Sequence, residues 1–203
     1  MSHDVRLMTS DDLPAAAKAL SSAFFKDPLQ GYTFPDETER RERSPAHFSA
    51  ALNYGLKFGE VYWVPNGAGA AIWLPPGETA VTPERAEAAG FMALPAKMGD
   101  EAFGRFFAAL EYADQCHRDD VPEPHWYTMV VGVDPVFQGN GYGKALLQPV
   151  FQKADASRVP IYLETAQPAN VTFYERLGFR VLRTLTEPTS GLPMWTFKRE
   201  SVI

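Results

Sequence analysis

With 203 residues, 45% of them hydrophobic and 22% charged, the chain has the composition of an ordinary globular protein with room for one substantial core. A formal net charge of −6 argues against a general nucleic-acid binder, whose affinity rests on neutralising phosphates. A lone cysteine, Cys116, excludes an intrachain disulfide and a multi-cysteine metal site, and no apolar run approaches the length of a membrane span.

The amino terminus through Asp12 lacks the apolar core of a signal peptide, so the cytoplasm is the expected compartment. Val5 to Met8 alternates as a short first strand. Thr9-Ser10-Asp11-Asp12 supplies cap chemistry for an amphipathic helix marked by Leu13, Ala16, Ala17, Leu20 and Phe24, which Asp27-Pro28 ends. The segment from Gln30 to Pro35 is read as an aromatic loop, either folded onto the core or forming one wall of a substrate pocket. Glu37 to Phe58 is a charged beginning followed by an amphipathic helix, with Gly59 as its stop. Val61 to Val64 and Ala70 to Leu74 flank Pro65-Asn66-Gly67 as a hairpin.

Residues 83–118 break at Gly90, Pro95 and Gly99 into two or three helical pieces. The last piece carries Phe103, Phe106, Phe107 and Leu110 on one face. This helical insertion is expected to pack against the rest of the chain or to cover a substrate. Cys116 is expected to be structural, because it and its neighbour His117 point in different directions on a helix.

Trp126 to Val133 reads as a strand, Asp134-Pro135 as a turn, and Gln138 to Gly143 as a glycine-rich loop. An amphipathic helix follows, with Leu146, Leu147, Val150, Phe151 and Ala154 on one face and a conflicting Pro149 that should kink it. Strand, glycine loop and helix let successive backbone N–H groups converge on a phosphate. Gly139, Gly141 and Gly143 carry no Cβ to block that approach. A P-loop fails on spacing: Gln138 stands where its first glycine belongs, and Ala145 follows Gly143-Lys144 where a hydroxyl is needed. A dinucleotide fingerprint fails because Lys144 or Leu146 occupies its third glycine position. Val159 to Thr165 is then a buried strand with a polar end. Pro168 to Gly178 is a helix, and Arg180 to Leu185 and Pro193 to Lys198 are two closing strands.

The pattern that does fit is Q-x-x-G-x-G from Gln138 to Gly143, directly after a strand ending Val-Gly-Val-Asp-Pro. It resembles the pyrophosphate loop of the GNAT superfamily of N-acetyltransferases. Asn170 to Phe179, Asn-Val-Thr-Phe-Tyr-Glu-Arg-Leu-Gly-Phe, resembles the second signature of the same superfamily, one helix and one strand later. Val5-Arg6-Leu7 with Asp11-Asp12, Gly59-Glu60-Val61 with Ala71-Ile72-Trp73, and Leu163-Glu164-Thr165 are similar to the family of puromycin N-acetyltransferase and its relatives. The resemblance spans nearly the whole chain and is weakest through 83–118.

It implies a single α/β domain over 1–203 with a mixed, mostly antiparallel sheet of about seven strands. That sheet would splay between strands 4 and 5, carry helices on both faces and take a helical insertion before strand 4. The implied co-substrate is acetyl-CoA, with no metal. The edges of Val131 and Val133 would pair with its pantetheine arm, which can add like a strand. Backbone N–H groups of Gln138, Gly139, Asn140, Gly141, Tyr142, Gly143 and Lys144 would cradle the pyrophosphate, and Asn170 and Tyr174 would complete that site. Tyr174 is the implied proton donor to the departing thiolate, and a backbone donor near Val131 would face the oxyanion. For the base, Glu164 at its strand end and His125 at the start of the central strand are both candidates.

The implied reaction is acetyl transfer to a primary amine of a small, antibiotic-like molecule, with the insertion and the early aromatic loop setting substrate choice. No nucleic-acid or membrane partner is expected, and a monomer and a homodimer are both compatible with the sequence. A non-catalytic acyl-CoA sensor on the same fold is the rival reading.

Overall fold

Residues 4–202 are described by a computed structural model. Seven strands form one sheet: β1 (Arg6–Leu7), β2 (Glu60–Val64), β3 (Gly69–Leu74), β4 (Trp126–Val133), β5 (Ile161–Thr165), β6 (Arg180–Thr186) and β7 (Pro193–Arg199). Their spatial order is β1-β2-β3-β4-β5-β7-β6. Every pairing is antiparallel except β4 with β5. The expected hairpin is present, and the Asn66 side chain accepts from the Ala68 N–H at 3.0 Å to hold its turn. All six residues of β3 are buried, as an apolar run covered on both faces requires.

The decisive feature lies between β4 and β5. β4 pairs with β3 from Tyr127 to Val133, with a register shift opposite Ile72 and Trp73. With β5 it pairs only through Trp126↔Ile161 and Tyr127↔Tyr162. The irregularity at Met129 adds a residue to β4, which bends and twists the strand away from its neighbour. β5 meanwhile pairs along all of its length with β7. The sheet therefore parts after Tyr127, as the resemblance implies.

Helices cover both faces. On one face α1 (Leu13–Ala23) and α3 (Glu37–Phe58) bury Leu20, Phe48 and Leu52 against Val61, Trp63 and Ile72. On the other, α7 (Tyr142–Ser157) and α8 (Ala169–Arg176) bury Leu146, Leu147, Val150, Phe151 and Tyr174 against Trp73, Leu163 and Phe197. Each large apolar side chain in that layer contributes about 1.5–3 kcal/mol through burial. A bidentate ion pair ties the parted halves across this layer, with Arg199 Nη1 and Nη2 at 2.8 and 2.9 Å from the Asp155 carboxylate. Among the described residues no helix is long and apolar enough to cross a membrane.

Several local expectations change. Gln30 to Pro35 is not simply a loop: Pro28–Thr33 forms a short helix, α2, capped by Asp27, whose carboxylate accepts from the Leu29 N–H at 2.9 Å. An Asp-Pro pair that ends one helix can equally begin the next, because proline suits the first helical position. The charged start of Glu37–Phe58 is itself helical and is capped by Asp36. Pro149 lies inside α7 without ending it. The insertion comprises α4 (Pro83–Ala89), α5 (Leu94–Met98) and α6 (Asp100–Asp120), with Leu94, Met98 and Ala102 packed on Phe34 and Ala50.

Candidate active site

The glycine loop begins one residue beyond a 3-10 turn, Pro135–Phe137, which Asp134 caps. Gly139 and Gly141 adopt φ of 78° and 84°, the left-handed region where a side chain is strained. Gly141 is the N-cap of α7, so the loop delivers its N–H groups to a helix N-terminus. Asn140 braces the loop from within, its Nδ2 donating to the Phe137 and Gln138 carbonyls, both at 3.1 Å. Gln138 Nε2 donates to the Val133 carbonyl at 3.0 Å and fastens the loop to the strand end. Gly143 also answers a packing need. A Cβ there would lie 3.2 Å from the Phe173 ring, so its bareness admits α8. Tyr142 opens α7 and accepts from Asn66, while Lys144 is exposed on α7 and lines an open groove with Gln148 and Gln152.

Val131 and Val133 stand on the stretch of β4 that β5 does not pair. Across the gap, the end of β5 carries Glu164 and Thr165. Thr165 Oγ1 accepts from Asn170 Nδ2 at 3.1 Å, which docks the first turn of α8. Asn170 is thus not the helix cap, a position held by Pro168. One turn later Tyr174 is 5% exposed, its ring against Phe173, Phe179 and Phe197. Among the described residues no hydrogen-bond partner reaches its hydroxyl. Burial, then the charges of Asp27 and Glu164, push the phenol above its ordinary pKa. Burial pushes the Glu164 carboxyl up to about 8, against the Tyr127 hydroxyl 3.4 Å away. It pushes Asp27 up to about 6, against the N–H groups of Leu29 and Gln30. The Tyr174 phenol thus stays protonated and feels both carboxylate charges, while Glu164 stands at the end of β5 beside the parted strands. That arrangement can take a proton from one partner and give one to another.

Asp27 is read in the sequence only as a helix boundary, and its raised carboxyl was not foreseen. The available signal was a carboxylate set among Phe24, Phe25, Leu29 and Phe34, where a cap could aim inward.

His125 is placed elsewhere. It shares a face with Tyr127, as alternation requires, but that face is closed. Its Nε2 lies 2.6 Å from His117 Nε2, and its Nδ1 donates to the Glu123 carbonyl at 2.6 Å. The His117 ring stacks on Tyr162 at 4.6 Å, and both histidines are about 5% exposed. Burial lowers both pKa values, that of His117 to about 3. With both ring nitrogens engaged, His125 has none left for an incoming amine.

His47, buried between Phe34, Phe48 and Phe106, is likewise lowered to about 3 by burial. A histidine depressed this far takes up its proton only on unfolding, so its contribution is present above about pH 6.5 and lost as pH falls. Each such residue steepens acid destabilisation by up to about 1.4 kcal/mol per pH unit between its two pKa values. We expect His47→Asn to unfold less steeply than the parent between pH 6 and pH 4, measured by thermal melts. Parallel curves would show that His47 is protonated in the folded state.

Residues 102–181 match the family model for an acetyltransferase (GNAT) domain. The chain is 29% identical over 197 residues to an uncharacterized N-acetyltransferase of Schizosaccharomyces pombe, spanning 93% of this chain and 80% of that protein. A Corynebacterium glutamicum protein described as "histone acetyltransferase HPA2 and related acetyltransferase" superposes with a TM-score of 0.72 at 23% identity, covering 100% of this chain and 98% of its own. Arylalkylamine N-acetyltransferase 2 of Aedes aegypti superposes with a TM-score of 0.66 at 15% identity, covering 98% and 99%. At these identities the superpositions speak for the fold, and the domain match speaks for the chemistry. The chain is an acyltransferase built on the GNAT fold.

Proposed function

We propose that the protein moves an acetyl group from acetyl-CoA to a primary amine of a small molecule in one ternary complex. The observation that carries this reading is the gap after Tyr127, with an unpaired β4 edge on one side and, on the other, Glu164 at the end of β5 and α8 with its buried Tyr174 docked on Thr165. The residues present fit acetyl-CoA: a bare strand edge suits the amide-rich pantetheine arm, and the left-handed glycines at a helix N-terminus suit a pyrophosphate. Val131 and Val133 would hold the arm, and Gln138 to Lys144 the diphosphate through main-chain N–H groups. Asn170 would sit beside them at the start of α8. When bound, the thioester supplies the activated acetyl group. Tyr174 would donate its phenolic proton to the departing sulfur. Glu164 would take the proton from the amine, and Asp27 would hold the incoming ammonium beside it. His125 takes no part and belongs to the core.

A small amine acceptor is favoured by this carboxyl pair and accords with the acceptor named for the mosquito relative. An antibiotic of the puromycin type is the narrower candidate. Single-domain organisation, a cytoplasmic setting and a monomer or homodimer complete the proposal.

The test is thiol release from acetyl-CoA against a panel of alkylamines, arylalkylamines, puromycin and a peptide N-terminus. Amine-dependent release supports the enzyme, and release with the peptide alone would move the acceptor to proteins. Binding of CoA with no release would mark a sensor. A base near pKa 8 also makes kcat rise with pH through about 8 at saturating amine. We expect Glu164→Gln to lower kcat about 10²-fold and to abolish that limb. An unchanged profile would pass the base role to another group.

A further inference from the structure

α2 is too short to hold its own shape, since an isolated helix of this length is marginal in water. Side chains of other helices hold it from outside. Arg40, in the first turns of α3 and 9% exposed, reaches back to the chain on both sides of α2. Its Nη1 donates to the Phe25 carbonyl at 2.9 Å, before the helix. Its Nε donates to the Phe34 carbonyl at 2.9 Å and its Nη2 to the Pro35 carbonyl at 3.3 Å, after it. The guanidinium carbon also lies 5.2 Å from the Phe25 ring centre. Among the described residues no carboxylate comes within ion-pair distance of Arg40.

A buried cation satisfied only by main-chain carbonyls is a costly arrangement, and an apolar side chain would fill the same space at less cost. What an apolar residue, or a lysine, cannot do is span three carbonyls with one planar fork. The three oxygens bracket the segment that carries Asp27. Arg105, from α6, adds a second brace by donating to the Thr33 carbonyl at 2.9 and 3.1 Å.

We infer that Arg40 is a positioning residue for the acceptor side of the reaction: its guanidinium closes the Phe25–Pro35 segment and so fixes the Asp27 carboxyl at the N-terminus of α2. This rests on the role proposed above for Asp27. Acetyl-CoA binding should not depend on it, because the glycine loop stands on other elements.

The experiment compares Arg40→Met, Arg40→Lys, Asp27→Asn and the double variant Asp27→Asn with Arg40→Met. We expect kcat/KM for the amine to fall about 10- to 100-fold in both Arg40 variants, as a misplacement of about 1 Å produces, with the acetyl-CoA Kd unchanged. The double variant should be no worse than Asp27→Asn alone, because both changes remove one function. Hydrogen exchange at 28–33 should quicken in both Arg40 variants while exchange at 142–157 does not. Arg40→Lys, which keeps the charge, serves if Arg40→Met fails to fold. Normal kinetics in a folded Arg40 variant, additive losses in the double variant, or unchanged exchange at 28–33 would each overturn the inference. Exchange is read without turnover, so a wild-type protein inactive on every amine would defeat the functional reading separately.

Discussion

Replacing Tyr174 by phenylalanine is expected to lower kcat by about 10- to 10³-fold while leaving acetyl-CoA binding and the fold nearly intact. The ring keeps its contacts with Phe173, Phe179 and Phe197, so no cavity opens. Among the described residues the hydroxyl has no hydrogen-bond partner to orphan, so its removal should cost little stability, and melting temperature should stay close to that of the parent. The lost item is the proton itself. Burial and two neighbouring carboxyls hold the phenol in its acid form at neutral pH, the form a departing thiolate needs. Single-turnover kinetics with a titration of acetyl-CoA separate the two quantities. Undiminished turnover in the folded variant would remove Tyr174 from the chemistry and leave it as a core residue.

Replacing Gly141 by valine is expected to weaken acetyl-CoA binding at least about 100-fold. Two effects act together. At φ 84° and ψ 0° a β-branched residue is strained by about 1–2 kcal/mol, and the branch stands at the mouth of α7 where a pyrophosphate would lie. Gly139→Ala separates them. That position is equally left-handed, at φ 78°, but a Cβ there meets nothing within 4 Å. It should therefore show the strain without the whole obstruction, with binding weakened far less than by the valine. Circular dichroism must show Gly141→Val folded for the comparison to hold. An acetyl-CoA titration like that of the parent would mean that the loop does not grip the diphosphate.

The parts of this molecule that could be read in advance are those whose cause is local. β4 runs over the expected residues because an alternating apolar segment ends at Asp134-Pro135. The buried face of α7 is the expected set of five because its period survives Pro149. The parting of β4 from β5 was available only through the resemblance, since no local pattern announces a missing pairing. α2 was hidden by the double meaning of Asp27-Pro28. The effect of the Asp27 charge on the Tyr174 phenol could not be foreseen, because well over a hundred residues separate them in the chain. His125 looked free for another reason: its partner His117, only eight residues earlier, belongs to a helix that turns back against the strand only in three dimensions. The room that Gly143 also makes for Phe173, thirty residues on, has no local signal either.

Two rungs are a thin seam between the halves of a seven-stranded sheet. Along that line the Arg199–Asp155 pair serves as a cross-tie behind the sheet. A carrier lying lengthwise in the gap would supply the rungs that β5 does not, knitting the halves into one plate. Stiffness across the seam would then report whether a carrier is bound.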